Sequence, residues 1–224
     1  MNTSPSTPPF DTAWMFVNMA RAIQIGSETQ LLVEGRDECN FVEAYIEHLS
    51  LEHVDIQIHD FGGVNGLRGF LRAFVSASGF ESNVRNIGIV RDAETCAVSA
   101  FQSVRSSLEN ADLPSPVQPG YPTDSNPNVT VLILPGDNRP GMLETLLCES
   151  FKDKPEDHCI DGFLNCVEAI SGMSVGRPHK ARAHAYLVTK PDPHVSVGVA
   201  AKNGYWDLDH PVLGDVRSFL MSIT

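Results

Sequence analysis

The sequence has no stretch of about 18 consecutive apolar residues, so no membrane-spanning helix is expected. Its first residues, MNTSPSTPPFDT, lack a basic segment followed by an apolar one. They read as a polar, proline-rich, mobile tail and not as a secretory leader. There is no CxxC pair among the five cysteines Cys39, Cys96, Cys148, Cys159 and Cys166, and the count is odd. Neither a zinc site nor a disulfide framework is therefore expected. All but Cys159 fall in apolar-patterned segments and are expected as buried thiols, the usual state in a reducing cytoplasm. No Walker A loop occurs, so no ATPase activity is expected of this chain. Positive charge is scarce: 16 Lys and Arg stand against 28 Asp and Glu, a formal net charge of −12. Coating nucleic acid by bulk charge requires clustered cations, which excludes that class. An enzyme that grips nucleic acid through a small basic patch and a metal ion remains compatible.

What is present is ordinary globular composition, with 42% hydrophobic and 20% charged residues over 224 positions. The length suits one domain with an elaboration. Residues 30–34 form a short apolar run that suits a buried strand. Cys39, Phe41, Val42, Tyr45, Ile46 and Leu49 then follow at helical spacing. Val54 to His59 alternates as a strand. Gly62, Gly63 and Gly66 mark a turn before a helix over 64–78. Asn86 to Arg91 is a third strand, followed by a helix over 95–110. Residues 112–128 hold five prolines and read as an irregular loop. Asn128 to Pro135 is a fourth strand, and Gly141 opens another helix. This β-α alternation predicts a parallel sheet covered by helices on both faces. Residues 157–171, 179–189 and 216–221 read as further helices, packed as a C-terminal cap. The expected division is a tail over 1–28, an α/β core over 29–150 and a helical elaboration over 151–224.

Ligands of open parallel sheets bind beyond the carboxyl ends of the strands, and acids stand at those places. Glu34 ends the first strand, Asp92 and Glu94 follow the third, Asp137 follows the fourth, and Glu144 lies just inside the next helix. Crowded carboxylates raise one another's pKa unless a cation intervenes, and hard ions such as Mg²⁺ or Mn²⁺ take such oxygen ligands. Glu34, Asp92 and Glu94 are expected to approach a common point within about 6 Å, water filling the remaining gap. Each acid also has a plainer role open to it: an acid after a strand often caps a helix, as Asp92 or Asp37 would.

Leu31-Leu32-Val33-Glu34-Gly35-Arg36-Asp37 resembles the first Toprim motif, an apolar strand ending in Glu-Gly with an acid shortly after. Ile87-Gly88-Ile89-Val90-Arg91-Asp92-Ala93-Glu94 resembles the second, a strand followed by Asp-x-Asp, here with Glu94 in the last place. The resemblance spans roughly residues 29–150. The whole chain resembles a bacterial Toprim-like family, with Pro140-Gly141-Met142-Leu143-Glu144 and Gly204-Tyr205-Trp206-Asp207-Leu208-Asp209-His210-Pro211 as its signature phrases. Toprim domains occur in topoisomerases, primases and overcoming-lysogenization-defect (OLD) nucleases. The resemblance implies a Toprim-like, Rossmann-like α/β fold of about four parallel strands. It also implies Mg²⁺ or Mn²⁺ at Asp92 and Glu94, and acid–base or metal-binding work for Glu34. Toprim nucleases use a lysine against transition-state charge; Lys180 or Lys202 would fill that role. No counterpart of the domains that give topoisomerases a tyrosine nucleophile, or primases a grip on template, is expected within this sequence.

Three other signals carry alternatives. Gly62-Gly63-x-x-Gly66-x-x-Gly69 departs from the dinucleotide-binding spacing and suits a turn better. Arg177, His179, Lys180, Arg182, His184 and Lys190 form either a solvated face balancing nearby acids or a phosphate-gripping patch. Trp206, Asp207, Asp209 and His210 suit a packed Trp with acids capping the last helix, or a second metal site. Two functions compete. One is metal-dependent phosphodiester chemistry on nucleic acid, nuclease-like and cytoplasmic. The other is a non-catalytic interaction protein working beside a separately encoded ATPase.

Overall fold

The computed structural model describes residues 23–224. Four strands, β1 (Thr29–Val33), β2 (Ile56–Asp60), β3 (Asn86–Asp92) and β4 (Asn128–Leu134), pair in parallel in the order β2-β1-β3-β4. Between and after them run helices α1 (Arg36–His48), α2 (Leu67–Val75), α3 (Phe80–Asn83), α4 (Ala97–Glu109), α5 (Leu143–Glu149), α6 (Pro155–Ser171), α7 (Pro178–Leu187), α8 (Val197–Lys202) and α9 (Gly214–Ile223). The α/β class expected from the sequence, a parallel sheet of four strands flanked by helices, is the class observed.

Period-two alternation sorts the strand residues between two cores. Leu31, Val33, Val90, Leu132 and Leu134 face α1, α5 and the C-terminal helices. Leu32, Ile87, Ile89, Val129, Val131 and Ile133 face α2 and α4. Burial on both faces explains why β1, β3 and β4 read as nearly continuous apolar runs. Gly88 lets α9 lie directly on β3: a Cβ there would stand 2.9 Å from both Phe219 and Ile223 side chains. Gly198 does the same for α8 on α1, since a Cβ would stand 2.2 Å from the Asp37 carbonyl oxygen.

Several expectations change. Residues 1–22 lie outside the described residues, and with them most of the tail. The remainder of that stretch is held down: Ile25 is buried and the Gly26 N–H donates to Gln57. Cys39 and Cys148 are buried, with thiol pKa values pushed up by burial to about 11 and about 12. Cys96 and Cys166, expected buried, are exposed along with Cys159. Cys96 stands at the solvent-facing N-terminus of α4 and Cys166 on the outer side of α6, where an apolar pattern has no partner. Trp206 packs as expected, stacked on Tyr186 at 5.1 Å and donating to the Val197 carbonyl at 2.8 Å. The acids beside it do not cap α9. Asp207 meets Lys154 and Asp209 meets His48, while the His210 ring accepts from the Val212 N–H. The proline-rich loop 112–128 lies along the outer edge of β4, with the Gly120 N–H donating to Val131 O at 2.8 Å and the Thr123 N–H to Val129 O at 3.0 Å. Helix α8, apolar nearly throughout, has no period by which the sequence marks it.

Candidate functional site

The carboxyl ends of β1, β2 and β3 open on a cavity of about 330 Å³, lined by Glu34, Glu38, Asp60, Asp92, Glu94 and Lys180 together with the Gly62–Gly63 turn. Strand geometry places the first acids. Glu34 directly follows β1 and Asp92 ends β3, and these strands are neighbours in the sheet. Glu34 Oε2 accepts from the Asp92 N–H at 3.3 Å. Asp92 Oδ1 accepts from the Leu143 N–H at 3.1 Å, at the start of α5. Asp92 is thus a helix cap and a cavity acid at once. Among the described residues no hydrogen bond uses its Oδ2 or the Oε1 of Glu34.

Burial raises the Asp92 pKa well above the ordinary aspartate range, and the charges of Glu38, Glu34 and Glu144 raise it further. Burial likewise raises Glu34, against the Asp92 N–H and the Arg91 guanidinium, which lower it. Glu38, in the first turn of α1, is raised to about 6 by burial and by the charges of Asp37, Glu144 and Glu34. The cations nearby are few and incompletely used. Arg91 is buried, its Nε lies 4.0 Å from Glu34 Oε2, and that Nε has no hydrogen-bond partner. Lys180 Nζ meets buried Glu144 at 3.1 Å. Burial alone would depress the lysine, but the Glu144 bond and the charges of Glu144 and Asp92 outweigh it and hold the ammonium protonated.

The expected residues therefore divide. Glu34, Asp92, Glu94 and Lys180 share the cavity. Glu94 is exposed, with φ +53°, and its backbone pairs with Gly141 across the neighbouring loop. Glu144 stands behind Lys180 as its partner. Asp137 lines a different cavity and lies 4.0 Å from Arg139. Lys202 is bound on the outside of α8 to Asn40 and Glu43 of α1. Glu38 and Asp60 were missed. Glu38 has a signal in retrospect: it lies in the first turn of α1, the helix that starts two residues after Glu34 at the strand end. Among the described residues no group of three or more His, Cys, Asp or Glu side chains is arranged to hold a metal ion. The donor chemistry nonetheless fits one, because hard carboxylate oxygens with raised pKa values crowd one cavity with only Lys180 and Arg91 as cations beside them. Elsewhere in the basic stretch, Arg182 balances Asp157 and Asp161, while Lys190 lies 3.8 Å above the Tyr186 ring.

No helix among the described residues is long and apolar enough to cross a membrane. No curated protein matches the chain. Solved structures similar to it include the C-terminal region of the Burkholderia pseudomallei OLD protein, at 13% identity and a TM-score of 0.40, over 89% of this chain and 98% of that one. The C-terminal region of the Xanthomonas campestris pv. campestris OLD protein is similar at 16% identity and a TM-score of 0.36, over 88% of this chain and 97% of that one. The model of a family described as "Protein of unknown function (DUF3226)" matches residues 28–224, and the chain belongs to that family.

Proposed function

We propose that the chain carries out divalent-metal-dependent phosphodiester chemistry on nucleic acid at the acidic cavity. Asp92, Glu34 and Glu94 would hold Mg²⁺ or Mn²⁺, with Glu38 as a further oxygen donor. The observation that carries this reading is the crowding of Glu34, Glu38 and Asp92 at adjoining strand ends with too little positive charge to offset them. A bound ion there supplies Lewis acidity and an activated water.

The chain's own groups then have distinct work. Asp92 is the most buried of the acids lining the cavity and is held in place by its bond to α5, which suits a chelating role. Glu34 keeps Oε1 free, and its raised pKa suits it to take or give a proton at that atom. The Lys180 ammonium stands where it would offset charge on a phosphoryl oxygen, with Glu144 as its positioning partner. Gly35, Gly62 and Gly63 keep the mouth free of side chains for a substrate backbone.

The test is calorimetric titration of Mg²⁺ and Mn²⁺, paired with cleavage assays on DNA and RNA. Wild type is expected to bind and cleave. Glu34→Gln is expected to lose cleavage while keeping much of the metal binding. Normal cleavage by Glu34→Gln would make that residue structural and overturn the mechanism. If no divalent ion supports cleavage, even beside a candidate ATPase, the interaction-protein reading replaces it. The exposed side chains of Phe163, Ile170 and Met173, on and just after α6, favour that second reading.

A further inference from the structure

A second cavity, of about 560 Å³, lies on the outer edge of β4 between the start of α4 and α9. The loop 112–128 forms one wall of it, because the bonds of Gly120 and Thr123 to Val131 and Val129 hold Gly120 and Tyr121 against the strand edge. Tyr121 is 60% exposed, whereas Phe219 on the opposite wall is buried. The polar side chains lining it are Asp137, Asp215, Asn138, Gln118, Ser218 and Tyr121. Among the described residues no lysine or arginine lines it. Phosphate is therefore disfavoured, and a ligand rich in N–H donors is favoured.

The strand edge adds a donor. Asn128 N and Leu134 O bond toward β3, and Val129 and Val131 bond outward to the loop, so by strand alternation the Ile133 N–H also points outward. Among the described residues no hydrogen bond engages it, and Ile133 lines the cavity. An unpaired edge N–H in one cavity with carboxylate and amide acceptors and an exposed aromatic ring matches one chemical class. The ring offers a stacking face, and guanine presents N1–H and N2–H₂ donors for a carboxylate and an O6 acceptor for a backbone N–H.

The cavity also stands next to the acidic site. Glu94 and Gly141 exchange two backbone hydrogen bonds of 2.8 Å, tying the loop that carries Glu94 to the loop that carries Asp137 and Asn138. That second loop runs through positive φ at Gly136, Asp137 and Asn138 in succession, an uncommon conformation for side-chain-bearing residues. We infer that the edge cavity is a guanine-accepting base subsite of a single-stranded nucleic-acid substrate, flanking the bond cut at the acidic cavity. This rests on the phosphodiester reading for its purpose, but its test does not.

The experiment is an NMR chemical-shift titration of the full chain with guanosine, inosine and cytidine, without divalent metal. Guanosine is expected to saturate one site. Inosine, lacking the 2-amino group, and cytidine are expected to bind several-fold more weakly. Tyr121→Ala should weaken guanosine about tenfold, within the range for losing one base–aromatic stack. Asp137→Asn, in a conformation Asn tolerates, should erase the preference for guanosine over inosine. Mg²⁺ binding by Tyr121→Ala should match wild type, which separates failure of the subsite from failure of the acidic site. Equal binding of cytidine, no binding of guanosine, or an unchanged Tyr121→Ala would overturn the proposal.

Discussion

Two acid-rich regions are built from the same residue types with opposite results. On α6, Asp157 and Asp161 meet the two arms of a single guanidinium, Arg182 of α7. A planar fork matched to two carboxylates satisfies both charges within the chain. At the strand ends, Glu34, Glu38 and Asp92 are drawn together by sheet order and helix phase. They have only a buried arginine whose Nε stays unpaired and a lysine already committed to Glu144. A carboxylate cluster inside a protein is therefore not informative by count. What distinguishes the two is whether the chain brings its own counter-charge. Where it does not, the raised pKa values of Asp92, Glu34 and Glu38 record the deficit.

The contrast is sharpest under mutation. Arg182→Met should leave Asp157, with a side chain only 7% exposed, without a partner. Urea unfolding should show a loss of about 3 kcal/mol, the low end of the cost of breaking a buried ion pair. Mg²⁺ binding should be unaffected. Asp92→Asn should do the reverse. Asn keeps an oxygen for the Leu143 N–H, so the metal-free fold should hold or gain stability as a crowded charge is removed. Metal affinity should fall by at least about 100-fold, beyond the usual loss for an outer-shell partner, and cleavage should be lost with it. A stable Arg182→Met protein, or an Asp92→Asn protein that binds Mg²⁺ normally, breaks the comparison.

pH should separate the regions more gently. Glu38 titrates near 6 when folded against an ordinary value of 4.5, and Asp92 and Glu34 are displaced the same way. Each carboxyl holds its proton more tightly folded than unfolded, so the native state binds more protons in that window. Raising the pH from about 4.5 through about 6 should therefore cost stability in the metal-free protein. Glu38→Gln should show a shallower loss over the same interval, and saturating Mg²⁺ should reduce the slope. The smallest effect belongs to Lys202, whose partners Asn40 and Glu43 lie on the surface of α1. Lys202→Met should change stability by under about 1 kcal/mol and leave metal binding and cleavage untouched. Lost cleavage would return Lys202 to the site.

Much of the frame was legible before any coordinates. β1, β3 and β4 announce themselves because burial on both faces demands unbroken apolar runs. The glycines at 62 and 63 announce their turn because both sit at positive φ, +82° and +84°. Glu34 and Asp92 were legible as strand-end acids, since a strand's last residue has a predictable place in a parallel sheet. Glu38 was harder to see, because its role depends on the rotation of α1 about its axis, which packing on the sheet sets. Between Lys180 and Lys202 the sequence offered no choice: both are lysines late in the chain, and only the docking of α7 against α5, and of α8 against α1, separates them. Asp137 followed a strand as Asp92 did, yet β4 is an edge strand, and its loop turns outward to a second cavity.

The sequence by itself determined the layer architecture, the strand ends and the acids that stand on them, because these follow from local periodicity and burial. Tertiary structure alone decided which of those acids share a cavity, which lysine reaches them, and which acids are neutralised inside the chain. Those outcomes depend on strand order, helix rotation and the path of the loop along β4, and each is fixed by contacts between residues far apart in the chain.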